Sequence, residues 1–158
     1  MSHSLHILKS ATFILIILSA AGCQISPGDR GGARTDADLV GAQWLLVRIE
    51  APEATVTSDD LARDVTLEFT SDEHDRDERA RLVSGHAPCN GFSAAYRTEG
   101  ERSISFDDIV STFIACEDDI MTHERLLFQG LSEATEYTIE GSTLQIISEN
   151  ILLTYEAS

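Results

Sequence analysis

Basic residues are what this sequence has least of. Across 158 residues there are 11 Lys or Arg against 27 Asp or Glu, a net charge of −16, and Lys9 is the only lysine. That balance argues against nucleic acid, whose binding rests on Lys and Arg neutralising phosphates. It argues equally against lying flat on an anionic lipid surface. A long hydrophobic run is also missing. The apolar stretch Ala11 to Ala21, with Phe13-Ile-Leu-Ile-Ile-Leu at its centre, is shorter than the roughly 20 residues a bilayer span requires. Metal-ligand spacing is missing too. His74 sits among Asp72, Glu73 and Asp75, but that loop lacks the Gly and the Asp/Asn spacing of a calcium hand, and no second His stands at ligand distance. Neither a metal nor another cofactor is expected. Ser84 and Ser111 have no nucleophile elbow around them. His86, three residues before Cys89, could in principle activate a thiolate. In an exported chain, however, two core cysteines more often pair with each other. The chain therefore reads as non-enzymatic.

What is present begins with an export signal. His3, His6 and Lys9 precede the short apolar run, which ends in Ser19-Ala-Ala-Gly-Cys23. Small residues directly before a cysteine resemble a bacterial lipobox, in which Cys23 would carry lipid and become the new N-terminus. Ala20 departs from that pattern, standing where Leu is usual. The alternative is an ordinary cleaved signal with an incidental cysteine. Gln24 follows, and the resemblance to lipoprotein sorting, with no Asp at that position, implies the outer membrane. Gln24 to Asp38 is rich in Ser, Pro, Gly, Asp and Arg and reads as a flexible tether, reaching about 50 Å when extended. The expected organisation is a signal peptide over 1–22, a lipidated cysteine and tether over 23–38, and one folded domain over 39–158.

Within the domain, period-two patterns dominate. Leu45, Val47 and Ile49 alternate with Trp44, Leu46 and Arg48; apolar residues on both faces predict a central strand. Ala51 to Asp64 reads as a loop with a helical turn near Asp59. Val65, Leu67 and Phe69 predict a one-sided strand. Ser71 to Arg81 is a charged run that reads as a solvated hairpin loop. Ile104 and Phe106, then Tyr137 and Ile139, Leu144 and Ile146, and Leu152 to Tyr155 complete a series of short strands joined by tight turns. About eight strands and one helix are expected, mostly antiparallel. No internal repeat of fixed period is present.

The stretch from Gly85 to Leu131 organises the rest. Pro88-Cys89-Asn90-Gly91 is dense in turn formers. Ile109 to Cys116 is apolar and partly β-branched, which predicts a buried extended segment. Glu117, Asp118 and Asp119 suit the positive end of a helix and can cap its free amides. Ile120, Leu127, Leu131 and Ala134 then fall near one helical face, with Phe128 beside them. Glu124 interrupts that face, which predicts a half-buried helix. Gly130 weakens the helix by about 1 kcal/mol relative to Ala.

The order Cys89-Asn90, then Tyr96, then Ser111-Thr112-Phe-Ile-Ala115-Cys116 resembles the META domain of HslJ-like heat-shock lipoproteins. Ala94 stands where that family has Gly, and Ile114 where it usually has Met. Glu124, Phe128, Leu131, Tyr137, Gly141 and Leu144 continue the pattern, and Trp44 resembles its opening strand. The resemblance covers roughly residues 39–157. It implies a mainly β (α+β) domain: an antiparallel, partly closed, cracked barrel with one packed helix. Asn90, Tyr96, Ser111, Thr112 and Ala115 are then structural motif residues. It also implies an envelope protein linked to heat shock, envelope stress and antibiotic tolerance, expected as a monomer. With Cys23 lipidated, Cys89 and Cys116 remain as an even pair, which favours a disulfide over two reduced buried thiols. Two other functions stay open: a binding module for a hydrophobic ligand or a secretion partner, and a small lipidated protease inhibitor.

Overall fold

The computed structural model describes residues 39–70 and 81–158. The expected signal peptide, the expected lipidation of Cys23 and tether, and most of the charged run containing His74 lie outside the described residues. Nine strands form in order: β1 Gln43–Ala51, β2 Ala54–Thr57, β3 Thr66–Phe69, β4 Arg81–His86, β5 Gly91–Glu99, β6 Ser103–Ser111, β7 Glu136–Glu140, β8 Thr143–Ile147 and β9 Leu152–Ala157. An α-helix, α1 Asp118–Ser132, lies between β6 and β7. Neighbouring strands pair antiparallel, and β1 pairs with β9, so eight strands close into a ring. β2 stands outside the ring and pairs with the second half of β1, while β3 pairs with the first half. That strand occupies a stretch expected to be loop. Val56 is its one buried residue, too little apolar content to reveal the strand by periodicity.

The ring is not a regular barrel. It is thinnest between β6 and β7, where the ladder reduces to Ser103 opposite Glu136. Thr135 O and Arg102 O accept from Ile104 N and Tyr137 N on either side of it. The helix packs against β6 and reaches β1, β8 and β9. Its buried residues are Glu124, Leu127, Gly130 and Leu131. Leu127 and Leu131 thereby join the core built by Trp44, Leu46, Ile49, Leu67, Phe69, Tyr96, Ile104, Leu144, Leu153 and Tyr155.

Local irregularities explain which residues face in. On β1 the inward set is Trp44, Leu46 and Ile49. A register shift between Leu46 and Arg48 changes the phase of the alternation, so Arg48 stays in water. A second bulge lies in β6. One residue of β5, Ala94, faces two of β6, Asp108 and Ile109, and Asp108 adopts a φ of 51°. Asp tolerates that left-handed conformation better than most side chains. At β4, a Cβ on Gly85 would lie 1.8 Å from the carbonyl oxygen of Thr66. The approach of β3 to β4 therefore requires glycine. Near β2, the Asp60 carboxylate accepts from Thr57 N (2.8 Å) and Thr57 Oγ1 (2.7 Å), which holds its carboxyl below the usual range.

The segment from Ile109 to Cys116 departs from expectation. Its apolar composition predicts burial, yet Val110 is 60% exposed, Ile114 57% and Phe113 fully so. Only its ends are partly covered, at Ile109 and Cys116. Leu82 is also exposed, while Val83 points inward.

Candidate functional site

The central stretch closes into a polar knot at Asn90. Cys89 and Cys116 form a disulfide with their Cα atoms 6.1 Å apart. Glu124, on the inner face of α1 and only 4% exposed, reaches across to the Cys89-Asn90 turn. Its Oε2 accepts from the backbone N–H of Cys89 (2.9 Å) and of Asn90 (2.8 Å). Its Oε1 accepts from Asn90 Nδ2 at 2.7 Å. The amide of Asn90 is fully engaged. Its Oδ1 accepts from Thr112 Oγ1 and from Ile114 N, both at 2.8 Å, and its Nδ2 also donates to Ile114 O at 3.3 Å. Thr112 N donates to Gly91 O. One side chain thus joins the turn, the segment after β6 and the helix.

The motif residues divide between this knot and other places. Asn90 and Thr112 belong to it directly. Tyr96 lies in the core, its ring 5.0 Å from that of Phe69 in an edge-to-face contact and its hydroxyl 3.4 Å from Thr70 O. Ser111 and Ala115 are exposed and flank the anchored positions. Residues 112, 114 and 116 are the ones tied back to the turn, so Phe113 between them projects outward. His86 is exposed at the end of β4. Cys89 is held in the disulfide and is not a free thiol.

Glu124 is the residue whose role sequence reasoning missed. It reads as a flaw in an apolar helical face and a reason for half-burial. In fact it is buried because three donors meet it there. A lone carboxylate on an otherwise apolar face was itself the available signal, since buried charges require partners. The acidic residues at the helix start act differently from expectation. Glu117 occupies the N-cap position without a side-chain capping bond, and Asp119 accepts only from the next amide, Ile120 N. Their placement still suits the helix dipole.

Elsewhere, Tyr155 is wholly buried and its hydroxyl has no hydrogen-bond partner. Burial raises its pKa far above the ordinary tyrosine range. A shallow depression of about 160 Å³ lies on the β7–β8 hairpin between Thr138, Glu140, Thr143 and Gln145. It is polar and below the roughly 300 Å³ typical of small-molecule pockets. Among the described residues, no three His, Cys, Asp or Glu side chains gather as metal ligands do. Nor is any described helix long and apolar enough to cross a membrane.

A ring of eight strands, packed by a helix and knotted at a disulfide-linked turn, defines a small cracked-barrel class. A family model for the META domain matches residues 37–157, and this chain belongs to that family. No curated protein matches it. Among solved structures, the chain is similar to a protein from Burkholderia xenovorans determined by NMR. The two share 18% identity at a TM-score of 0.63, over 90% of this chain and 99% of that one. A second NMR structure is likewise 18% identical, with a TM-score of 0.56 over 78% of this chain and 94% of its own. A crystal structure of a DUF4847 family protein from Bacteroides vulgatus is 10% identical, with a TM-score of 0.53 over 75% and 93%. At these identities the likeness is one of fold.

Proposed function

We propose that this chain is a non-enzymatic lipoprotein of the HslJ type. It is anchored in the cell envelope through lipid on Cys23, on the outer membrane facing the periplasm. There it contributes to heat-shock or envelope-stress tolerance by presenting a surface rather than by turning over a substrate. The observation that carries this reading is the Asn90 knot. Asn90 and Thr112 of the central stretch are hydrogen-bonded to each other, and Glu124 accepts from two backbone amides and from Asn90. A carboxylate only 4% exposed and turned toward these donors is poorly placed to meet a substrate as a general acid or base must. The core is also filled by large side chains, among them Trp44, Phe69, Tyr96, Tyr137 and Tyr155, which disfavours an apolar ligand along the barrel axis. The segment that a protease inhibitor would present ahead of the domain lies outside the described residues.

The anchoring arm is tested by Cys23→Ser. The variant is expected in the soluble periplasmic fraction, and wild type is expected to carry acyl chains by mass spectrometry. Retention of the variant in the membrane, with no acyl chain on wild type, would refute the anchor. The stress arm is tested in a deletion strain. Survival after heat or antibiotic challenge should fall and be restored by wild type but not by Cys23→Ser.

A further inference from the structure

We infer that Val110, Phe113 and Ile114 form a docking point for a second protein, one offering an apolar pocket rimmed by Lys or Arg. The inference rests on the surface-presenting reading above and names the partner's chemistry. Leaving a Phe in water forgoes about 2–3 kcal/mol of burial. Here the fold leaves Phe113 fully exposed and flanks it with Val110 and Ile114, each more than half exposed. The segment is nevertheless held in one shape. Thr112 is tied to Gly91 and Asn90, both backbone polar groups of Ile114 bind the Asn90 amide, and Cys116 is bonded to Cys89. An aromatic side chain on so fixed a backbone loses little conformational freedom when it docks, which is how interface anchors gain affinity.

Charge decides what it docks against. Along the chain the apolar segment is preceded by Asp107 and Asp108 and followed by Glu117, Asp118 and Asp119. Asp107 pairs with Arg97, whereas Asp108, Glu117, Asp118 and Asp119 are exposed. An anionic bilayer would repel this rim as well as the −16 chain behind it. A second copy would bring two acidic rims together, and like charges across an interface oppose binding. A basic rim around an apolar pocket complements both features and would steer the encounter.

The test uses the full-length protein, processed in its own cells, with photoreactive benzoylphenylalanine in place of Phe113. A control carries the same group in place of Glu133, exposed beyond the end of α1. After irradiation of intact cells, mass spectrometry identifies the cross-linked peptides. The expected product is a different polypeptide, joined through an apolar site that includes Lys or Arg, at about ten-fold the control yield. Asp118→Asn with Asp119→Asn should lower that yield by about three-fold. Adducts to lipid, adducts to this same chain, a partner site without basic residues, or a yield equal to the control would each overturn the inference. Phe113→Ser should leave the melting temperature within about one degree of wild type. A larger fall would mean that Phe113 packs into the fold, and would overturn it as well. Loss of the Phe113 adduct leaves the Cys23→Ser fractionation result intact, so failure of the docking point and failure of the anchor are distinguishable.

Discussion

Glu124 and Tyr155 are both buried polar residues, but they act in opposite ways. Truncating Glu124 to Ala would leave the N–H groups of Cys89 and Asn90 without their acceptor inside the protein. Each orphaned buried donor costs about 1–3 kcal/mol, so Glu124→Ala should destabilise by about 3–5 kcal/mol. Glu124→Gln keeps one acceptor oxygen and should fall between that variant and wild type. Urea unfolding of the three proteins checks the order. Tyr155 has the reverse problem, since its hydroxyl is buried with no partner. Tyr155→Phe removes a desolvated group without opening a large cavity and should stabilise by about 1 kcal/mol. The pH dependence follows from the raised pKa of the folded state. Below about pH 10 the tyrosine is neutral both folded and unfolded. Above it, the unfolded chain releases a proton that the folded chain retains, so stability falls by up to about 1.4 kcal/mol per pH unit. That alkaline loss should shrink in Tyr155→Phe, as thermal melts between neutral pH and pH 11 would reveal.

At the scale of elements, two glycines show how closely the pieces approach. A methyl group on Gly85 would meet the Thr66 carbonyl at 1.8 Å, and a backbone oxygen cannot step aside without opening the β3–β4 ladder. On Gly130 a methyl group would meet Ile151 Cγ2 at 2.9 Å and the two Leu153 methyls at 3.1 Å. Those are side-chain ends, which can shift. Gly130→Ala also gains about 1 kcal/mol of helix propensity. That gain offsets part of the 1–3 kcal/mol typical of overpacking, so its net effect should stay below about 2 kcal/mol. Gly85→Ala should be the more damaging of the two, and denaturant midpoints of both variants give the comparison. The intrinsic weakness that Gly130 brings to the helix therefore accompanies close packing against β9.

For the whole molecule, the disulfide joins the turn before β5 to the segment feeding α1, across 27 sequence positions. Closing a loop of that length restricts the unfolded chain by about 3–4 kcal/mol. Cys89→Ala and Cys116→Ala should each lower the melting temperature, and the double variant should fall no further than the worse single, since one bond is lost in every case. Reductant should lower the wild-type transition and leave that of the double variant unchanged. The Asn90 knot spans the same two segments and adds the helix. Removing Glu124 in the disulfide-free background should therefore give a non-additive loss, measurable as a double-mutant cycle.

Much of this architecture was legible in the chain itself. The period-two runs at Val65–Phe69, Ile104–Phe106 and Leu144–Ile146 name the inward residues correctly, because a strand's alternation is a local property. The helix over Asp118–Ser132 was legible from its local spacing, and the Cys89–Cys116 pairing from residue type alone, because the lipid expected on Cys23 leaves an even pair in an exported chain. What the sequence alone left undecided is whatever depends on a partner far along the chain. Ile109 to Cys116 carries the composition of a buried strand, but composition does not say whether anything covers its face; the fold leaves Phe113 uncovered. Glu124 looks like an interruption until the turn 34 positions earlier brings Asn90 against it. Tertiary structure decided both cases, because burial and hydrogen-bond satisfaction are set by which segments meet in space.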